Sequence, residues 1–531
     1  MGISRRDFIM LVGQAGGYGA AFMTMQTLGL MTPRSAAALP LAVAPGTGKG
    51  VKVAILGGGI AGLVAAYEMN SLGYDCTVLE ARERPGGRNW TIRGGDKVAL
   101  NDGSVQTCAF DAGHYQNFGP ARLPSVHNTI LGYCRKLGVA LEVEVNSSRS
   151  TFLQNDAANG GKPVVQRQVV NDTRGHVSEL LAKCINKGAL DQDLSAQDRD
   201  RMLSFLRIYG PLDRADKYIG SDGAGFARKP GAGDQTGLLS QPIDMQTLLD
   251  DDFWDGILFE EIFEMQATMF QPVGGMDRIP FAFAKALGDT VQYGAPVTEI
   301  RKTANGVRVS YTQGGVAKTT EADYCVCGMP LTMLKKVPND FSAPYMTIID
   351  KCTYAGAYKI AWESRRFWEQ DYNIYGGLEF LKTGCSPVWF PSAGLFSDRG
   401  VVVSGYGFDS SPEFDRLTLE EKFAASRNSI ERLHPGHGKE LEKPIYVGWR
   451  HVPYNEGSWI DTYVPGQSAF PGAQAPMMSL GPAYEQLITP DGPIYFVGDH
   501  VSHVLGWQEG AALSALRAVQ MISDRVAASK A

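Results

Sequence analysis

Apolar runs and glycine-rich turns alternate most clearly in the stretch from residue 51 to residue 88. A short apolar run, VKVAIL, ends at Leu56 and leads directly into GGGIAG at 57–62. The following residues have the apolar spacing of a helix, and a second apolar run at 76–79 ends at Glu80. Short apolar runs bounded by turns are typical of buried strands. The pattern predicts a strand, a tight turn, a helix and a second strand.

Farther along the chain the spacing of apolar residues first becomes helical and then returns to that of strands. From about Asp193 to Phe270 apolar residues recur at intervals of three and four, which predicts helices. Glycine- and asparagine-containing stretches at 154–162 and 220–237 predict surface loops. Strands are predicted in Val291 to Glu299, Gly306 to Tyr311, Tyr324 to Cys327 and the block from Ala355 to Gly407.

The glycines of the first turn have the spacing of a dinucleotide-binding fingerprint. Gly57 permits the tight turn, Gly59 lets a pyrophosphate approach the main chain, and Gly62 allows close packing of helix on strand. Glu80 follows the second strand, where a carboxylate can bind a ribose hydroxyl pair. An ordinary glycine turn is the alternative. The flanking strand and the acidic end favour a dinucleotide whose phosphates rest on the helix N-terminus.

The residues after Glu80 distinguish between dinucleotides. The run EARERPGGR, which ends in Gly86, Gly87 and Arg88, resembles the extended fingerprint of the flavin amine oxidase family. In that family the two glycines and the arginine fold against the diphosphate of FAD, so the resemblance implies FAD as the cofactor. It also implies an α/β fold: a discontinuous, Rossmann-like FAD-binding domain of the glutathione-reductase type, a mixed β-sheet substrate domain and a helical lobe.

The resemblance extends over nearly the whole chain and implies a division into domains. Val297 lies where the family's backbone meets the adenine, in a segment that returns to the FAD domain. The predicted domains are FAD-binding (51–94, 271–345 and 485–531), substrate-binding (95–150 and 351–475), a helical lobe (151–270) and an N-terminal signal peptide (1–38).

A proline-flanked motif narrows the resemblance to L-amino-acid oxidases. GPARLP at 119–124 looks like that group's GPxRLP motif, in which the arginine, here Arg122, binds the substrate carboxylate as a bidentate ion pair. Tyr406 ends an apolar strand that matches the position from which these oxidases present a hydroxyl to the same carboxylate. A structural arginine and a core tyrosine are the alternatives.

Two further regions resemble the family's active site. Lys359 opens an apolar strand, and in the family this lysine holds a water against the reactive nitrogen of the flavin; a lysine of an edge strand that reaches solvent is the alternative. Near the C-terminus, the resemblance implies that the Gly506 carbonyl receives the substrate amine. The roles implied for the rest of this region are contacts with the cofactor by Gly498 and Asp499 and aromatic walls formed by Trp507 and Trp449. The family usually has Glu at the position of Asp499, and Trp449 is equally compatible with a core position.

The resemblance implies a reaction in which a hydride passes from the α-carbon of an L-amino acid to FAD. The imino acid hydrolyses to a 2-oxo acid and ammonia, and dioxygen is reduced to hydrogen peroxide. A tryptophan-type 2-monooxygenase, an amine or polyamine oxidase, a dehydrogenase that reduces a quinone or cytochrome, and a flavoprotein without catalysis remain alternatives. The preferred side chain stays open: aromatic content favours apolar substrates, whereas Asp251, Asp252 or Glu260 could bind a cationic one.

The charge distribution and the cysteine spacing argue against a nucleic-acid partner and a metal site. The 531 residues carry a formal charge of −6 without a basic stripe, so we expect no nucleic-acid partner. Eight scattered cysteines show no zinc spacing, which predicts small buried residues and no metal site and leaves a disulfide open. We expect an L-amino acid and dioxygen as small-molecule partners. A homodimer is one candidate assembly.

The first forty residues have the pattern of an export signal. SRRDFI at 4–9 resembles a twin-arginine motif, and an uncharged segment and small residues at 35–38 follow it. This predicts a cleaved signal peptide, a periplasmic or secreted protein and no stable membrane span after cleavage. An uncleaved N-terminal anchor is the alternative.

Overall fold

Five parallel strands form the sheet that holds the glycine turn, here called the first sheet. The fold is known from a computed structural model, which describes residues 41–249, 253–469 and 480–530. The predicted signal peptide and two candidate carboxylates, Asp251 and Asp252, lie outside the described residues. In spatial order the strands are Val291–Gln292, Asp75–Leu79, Lys52–Leu56, Tyr324–Cys327 and Ile494–Phe496.

Alternate residues of the central strand Lys52–Leu56 face two different layers of the core. Val53 and Ile55 pack beneath the helix Ile60–Ser71 and the long helix Gln508–Lys530, whereas Ala54 and Leu56 belong to the layer on the other face. Burial on both faces explains why this strand is a continuous apolar run. It places the strand's carboxyl end, and the glycine turn that follows, between two packed layers.

The second sheet is mixed and has seven strands. All neighbouring pairs are antiparallel except Phe152–Gln154 with Gly377–Leu381. In spatial order the strands are Val164–Val165, Phe152–Gln154, Gly377–Leu381, Val388–Phe390, Arg399–Gly407, Tyr358–Arg365 and Glu442–Gly448. The strand Tyr358–Arg365 has neighbours on both sides, so the alternative that Lys359 lies on an edge strand is wrong.

Smaller sheets and helices complete the described part of the chain. The three-stranded sheets are Leu123–Pro124 with Met269–Pro272 and Leu141–Glu144, Val297–Thr303 with Gly306–Gln313 and Val316–Ala322, and Thr353–Tyr354 with Ile460–Val464 and Gln467–Ser468. The two-stranded sheets are Thr91–Arg93 with Tyr115–Asn117, Lys97–Ala99 with Val105–Thr107, and Phe226–Arg228 with Leu238–Leu239. The remaining α-helices are Asn128–Lys136, Gln166–Asn186, Ala196–Tyr209, Met245–Leu248, Trp254–Leu258, Arg278–Leu287, Leu331–Leu334, Ala343–Lys351, Phe367–Gln370, Pro412–Arg416, Leu419–Leu433 and Pro482–Leu487.

Two of the predicted elements differ from the structure. Only part of 193–270 is helical, because 210–244 consists of turns and a short hairpin and 259–265 of 3-10 turns. Its apolar spacing does not mark a buried face throughout, since Phe205, Ile262 and Phe263 are exposed. The predicted strand 291–299 is interrupted at Gly294, whose φ of 58° breaks extended pairing.

All eight cysteines are free, and Cys184 is exposed, so the expectation that every cysteine is buried is wrong at that position. Within the residues the structure describes, no helix combines the length and apolarity needed to span a bilayer. The domain bounds stay a prediction.

Candidate active site

A single cavity of about 780 Å³ runs from the glycine turn of the first sheet to the second sheet. This volume lies within the range of cofactor and ligand sites. Its lining includes the residues that the family resemblance assigned to the cofactor, the substrate carboxylate, the substrate amine and the aromatic walls: Gly57, Gly59, Gly62, Glu80, Gly87, Arg88, Arg122, Val297, Lys359, Tyr406, Trp449, Gly498, Asp499, Gly506 and Trp507. The structure therefore brings together residues from all parts of the chain. Their individual roles stay predictions.

The glycine turn presents a bare backbone to this cavity. Gly57 has a φ of 98°, and a Cβ on Gly62 would come within 2.0 Å of the Gly57 carbonyl oxygen. A Cβ on Gly59, by contrast, would meet no atom of the described residues within 4 Å. No side chain caps the helix that begins at Ile60, and its first turn holds no acidic residue. The unpaired N–H groups and the open space at Gly59 fit a diphosphate.

The carboxylate of Glu80 is held at the end of its strand by backbone donors. The Gly58 N–H donates to Oε2 at 2.7 Å, and the Arg82 N–H donates to Oε1 at 2.9 Å. Glu80 is almost fully buried but lines the cavity. An oriented carboxylate here fits the ribose contact of a dinucleotide.

Arg88 connects the two glycine-rich motifs. The Gly86 N–H donates to the Gly58 carbonyl at 2.7 Å, so the segment 86–88 folds against the glycine turn. The Arg88 guanidinium binds Asp499 with both terminal nitrogens, and the second Asp499 oxygen also accepts the Gly506 N–H at 3.1 Å. Although burial opposes ionisation, the charge of Arg88 keeps the pKa of Asp499 below its usual value. Although Asp499 is shorter than the Glu that the family usually has at this position, its carboxylate contacts both Arg88 and the backbone of Gly506.

Arg122 is a buried cation that forms no ion pair with any of the described residues. One terminal nitrogen donates to the side chain of Asn146, and the guanidinium carbon lies 4.7 Å from the ring centre of Trp389 and 5.7 Å from that of Phe259. Among the described residues, no carboxylate oxygen lies within 4 Å of its nitrogens, whereas Arg88 has such a partner. A buried charge without a counter-ion is costly, and burial lowers the pKa of Arg122. An anionic ligand in the cavity would supply the missing charge.

Lys359 is buried on the same side of the cavity. Its Nζ donates to the carbonyl oxygens of Asn117 at 2.8 Å and Gly119 at 2.7 Å, which leaves the third proton of the ammonium for another acceptor. Burial, and after it the positive charge of Arg122, lowers the pKa of Lys359 to about 7. The amine can therefore gain or lose a proton near neutral pH.

Aromatic rings form the walls between these cations. Tyr406 stacks on Trp389 with ring centres 6.2 Å apart, and Lys359 Nζ lies 4.8 Å from the Tyr406 ring centre. Trp449 is buried, and its indole N–H donates to the Phe118 carbonyl at 2.9 Å. It belongs to a 3-10 turn that follows the strand rather than to the strand itself. Trp507 is half-buried.

Comparison with known proteins decides the family. Residues 60–523 match the family model described as flavin-containing amine oxidoreductase. The chain belongs to this family. It is 26% identical to an L-amino-acid oxidase of Protobothrops flavoviridis over 89% of this chain and 88% of that protein, and 25% identical to one of Pseudechis australis over 89% and 86%.

Solved structures of amine oxidases share the fold. Putrescine oxidase with bound putrescine is 18% identical, with a TM-score of 0.55 over 90% of this chain and 99% of that one. Cyclohexylamine oxidase from Brevibacterium oxydans is 17% identical, with a TM-score of 0.57 and the same coverage. The predicted α/β fold class and the predicted cofactor, FAD, are confirmed. As a member of this family, the protein is an oxidoreductase that acts on amines.

Several residues of the amine oxidoreductase site were not identified from its sequence. Trp389 lies in the apolar run VWF and Asn146 in a loop, so neither carries a local signal. Glu260, proposed above for a cationic substrate, forms an ion pair with Arg149 instead and does not line the cavity. The contacts of Lys359 with two main-chain carbonyls also have no sequence signature.

Proposed function

We propose that this amine oxidoreductase is an L-amino-acid oxidase. The observation that supports it most directly is Arg122, a buried guanidinium that lines the cavity and has no carboxylate partner among the described residues. A simple amine offers nothing to neutralise this charge, whereas an amino acid brings a carboxylate that a guanidinium can bind bidentately. The curated relatives named above, which are L-amino-acid oxidases, support the same choice.

In this proposal the residues act by binding and orientation. Arg122 and the Tyr406 hydroxyl bind the carboxylate, and the Gly506 carbonyl accepts a hydrogen bond from the neutral amine. The rings of Trp449 and Trp507 limit the positions of the substrate, so the α-carbon faces the cofactor. When bound between these residues, FAD would supply the redox chemistry, as acceptor of a hydride from the α-carbon and donor of electrons to dioxygen. No side-chain base is required, because orientation provides most of the catalysis.

Lys359 serves the water and proton chemistry of the same reaction. Its third proton can donate to a water in the cavity. That water is available for hydrolysis of the imino acid to a 2-oxo acid and ammonia, and a positive charge at Nζ favours the reduction of dioxygen to hydrogen peroxide.

An amine oxidase is the second candidate, favoured by the fold likeness to putrescine oxidase and cyclohexylamine oxidase. Anaerobic mixing with L-phenylalanine, D-phenylalanine and 2-phenylethylamine separates the two. We expect only L-phenylalanine to bleach the flavin at a substantial rate, and Arg122→Ala to lower kcat/KM for it roughly a hundredfold. Arg365→Ala, at a partly exposed ion pair, is the matched control. Bleaching by the amine alone, unchanged in Arg122→Ala, would reject the proposal.

Product analysis separates the oxidase from a tryptophan-type 2-monooxygenase. Under air we expect phenylpyruvate, ammonia and hydrogen peroxide. Phenylacetamide with carbon dioxide would assign the monooxygenase reaction to the same site. A flavin that is reduced by L-phenylalanine but not reoxidised by dioxygen would indicate a dehydrogenase.

We also propose export through the twin-arginine pathway, based on the sequence at 4–9. Fusion of residues 1–40 to a reporter protein should place the reporter outside the cytoplasm. Replacement of Arg5 and Arg6 together by lysine should retain it inside. Equal export of both fusions would contradict the proposal.

A further inference from the structure

A buried carboxyl group lies close to the proposed carboxylate-binding site. Glu144 ends a strand that pairs with Met269, and Met269 pairs on its other side with Pro124, two residues after Arg122. This three-stranded pairing brings Glu144 near the arginine although 22 residues of chain separate them. Glu144 is only 3% exposed.

Trp389 contacts both the carboxyl group and the cations of the active site. Its indole N–H donates to Glu144 Oε1 at 3.2 Å, and its ring centre lies 4.7 Å from the guanidinium carbon of Arg122 and 5.3 Å from Lys359 Nζ. Glu144 Oε2 has no hydrogen-bond partner among the residues that the structure describes. A change of charge on Glu144 therefore acts on Arg122 through one aromatic ring and through a poorly screened interior.

Glu144 also lines a second cavity, of about 120 Å³. It shares Ala121 and Trp389 with the large cavity and has room for several waters. The other titratable or charged groups that line it are His114, Tyr115, Arg366 and Arg399. His114 and Arg399 contact Glu363, and Arg366 pairs with Glu369, so none of these three is a counter-ion to Glu144.

We propose that Glu144 is a positioning residue for the substrate carboxylate, uncharged while the carboxylate occupies Arg122 and, when ionised, competing with it for the arginine. The inference rests on the proposed function. Two carboxylates cannot both be neutralised by one guanidinium in a buried site, so occupation of Arg122 by the substrate and ionisation of Glu144 oppose each other.

The sign of the pH dependence follows from the state of Glu144. Burial raises the pKa of Glu144 to about 7, against the lowering effects of Arg122 and of the hydrogen bond from Trp389. Below that pH the group is neutral and the full charge of Arg122 is available to a ligand. Above it, Glu144 is negative, and we expect the Kd of a carboxylate ligand to rise roughly tenfold between about pH 6 and about pH 8.5. This corresponds to a bound ligand that raises the pKa of Glu144 by about one.

The probe is benzoate, whose carboxylate stays ionised over this range and which lacks the titrating amine of a substrate. Its Kd for the FAD-loaded enzyme is measured from perturbation of the flavin absorbance. In Glu144→Gln, which keeps an acceptor for Trp389, we expect most of this rise to disappear. Glu142→Gln on the same strand is the matched control and should follow the wild type. Lys359 also titrates near this pH, so Lys359→Met is measured in parallel. The part of the rise in Kd that comes from deprotonation of Lys359 should remain in Glu144→Gln and be lost in Lys359→Met.

Superimposable profiles of wild type and Glu144→Gln would overturn the inference, as would the absence of benzoate binding at low pH. The proposed function is tested separately by bleaching with L-phenylalanine, which can succeed while the inference fails. If Glu144→Gln does not retain FAD, Trp389→Phe replaces it. Loss of the indole donor should move the midpoint of the benzoate profile to higher pH, and an unchanged midpoint would contradict the inference.

Discussion

Lys359 and Tyr406 are direct partners on adjacent antiparallel strands, and the ammonium nitrogen lies 4.8 Å from the centre of the phenol ring. This register places the phenol ring and a titratable amine side by side in the lining of the cavity. Because the strand of Lys359 has neighbours on both sides, the lysine has no path to bulk solvent along a sheet edge. Its charge is therefore set by the cavity.

Lys359→Met should impair the oxidation by dioxygen more than the reduction by substrate. In the proposed function the ammonium of Lys359 would lie beside bound FAD and stabilise the negative charge that develops on dioxygen, so we expect its loss to slow reoxidation roughly a hundredfold. With a pKa near 7, the ammonium is present below about neutral pH and is lost as the pH rises. Wild-type reoxidation should slow through this range and that of Lys359→Met should not. Stopped-flow mixing of reduced enzyme with dioxygen checks this, and equal pH profiles would refute it.

The glycine turn offers a matched pair of substitutions. Gly62→Ala places a Cβ within 2.0 Å of the Gly57 carbonyl and should destabilise the apoprotein by about 1–3 kcal/mol. Gly59→Ala meets no protein atom and should leave the melting temperature of the apoprotein unchanged. Its methyl group enters the space for the diphosphate, so FAD affinity should fall at least about tenfold. Calorimetry of the apoprotein measures the effect on stability, and titration with FAD measures the effect on affinity. Normal FAD binding by Gly59→Ala would contradict the prediction that the diphosphate binds at this turn.

The ion pair between Arg88 and Asp499 should contribute to FAD affinity and make that affinity depend on pH. Asp499→Asn leaves Arg88 without its counter-ion, at a cost of about 3 kcal/mol, or roughly a hundredfold in FAD affinity. Because the pKa of Asp499 is lowered in the folded state, the contribution of the wild-type carboxylate is present above the usual aspartate pKa and is lost as the pH falls. FAD titration at several pH values should show acid release of FAD that is weaker in the variant. Asp409→Asn, at an exposed ion pair, is the control.

The geometry of the glycine turn could be predicted from local sequence, whereas the surroundings of Arg122 could not. The backbone needs of the glycine turn are met within 57–62, so its geometry is readable from the sequence. Glu144 belongs to the alternating run LEVE, typical of a half-exposed strand, and its burial follows from pairing with Met269 and contact with Trp389. No spacing along the chain encodes such a register. In 193–270 helical spacing was misleading because several of its apolar residues remain exposed.

Glu260 should not determine substrate charge preference. Its carboxylate binds Arg149, and both side chains are partly exposed and absent from the cavity lining, so its removal leaves the substrate site unchanged. We expect Glu260→Gln to keep the ratio of kcat/KM for L-phenylalanine to that for L-lysine within about twofold, since exposed ion pairs contribute little. Anaerobic bleaching with both amino acids gives this ratio. A selective loss of L-lysine turnover would show that the lobe moves Glu260 into the cavity when substrate binds. The double variant Arg149→Gln/Glu260→Gln, which removes both charges of the pair, distinguishes that outcome from a simple loss of the ion pair.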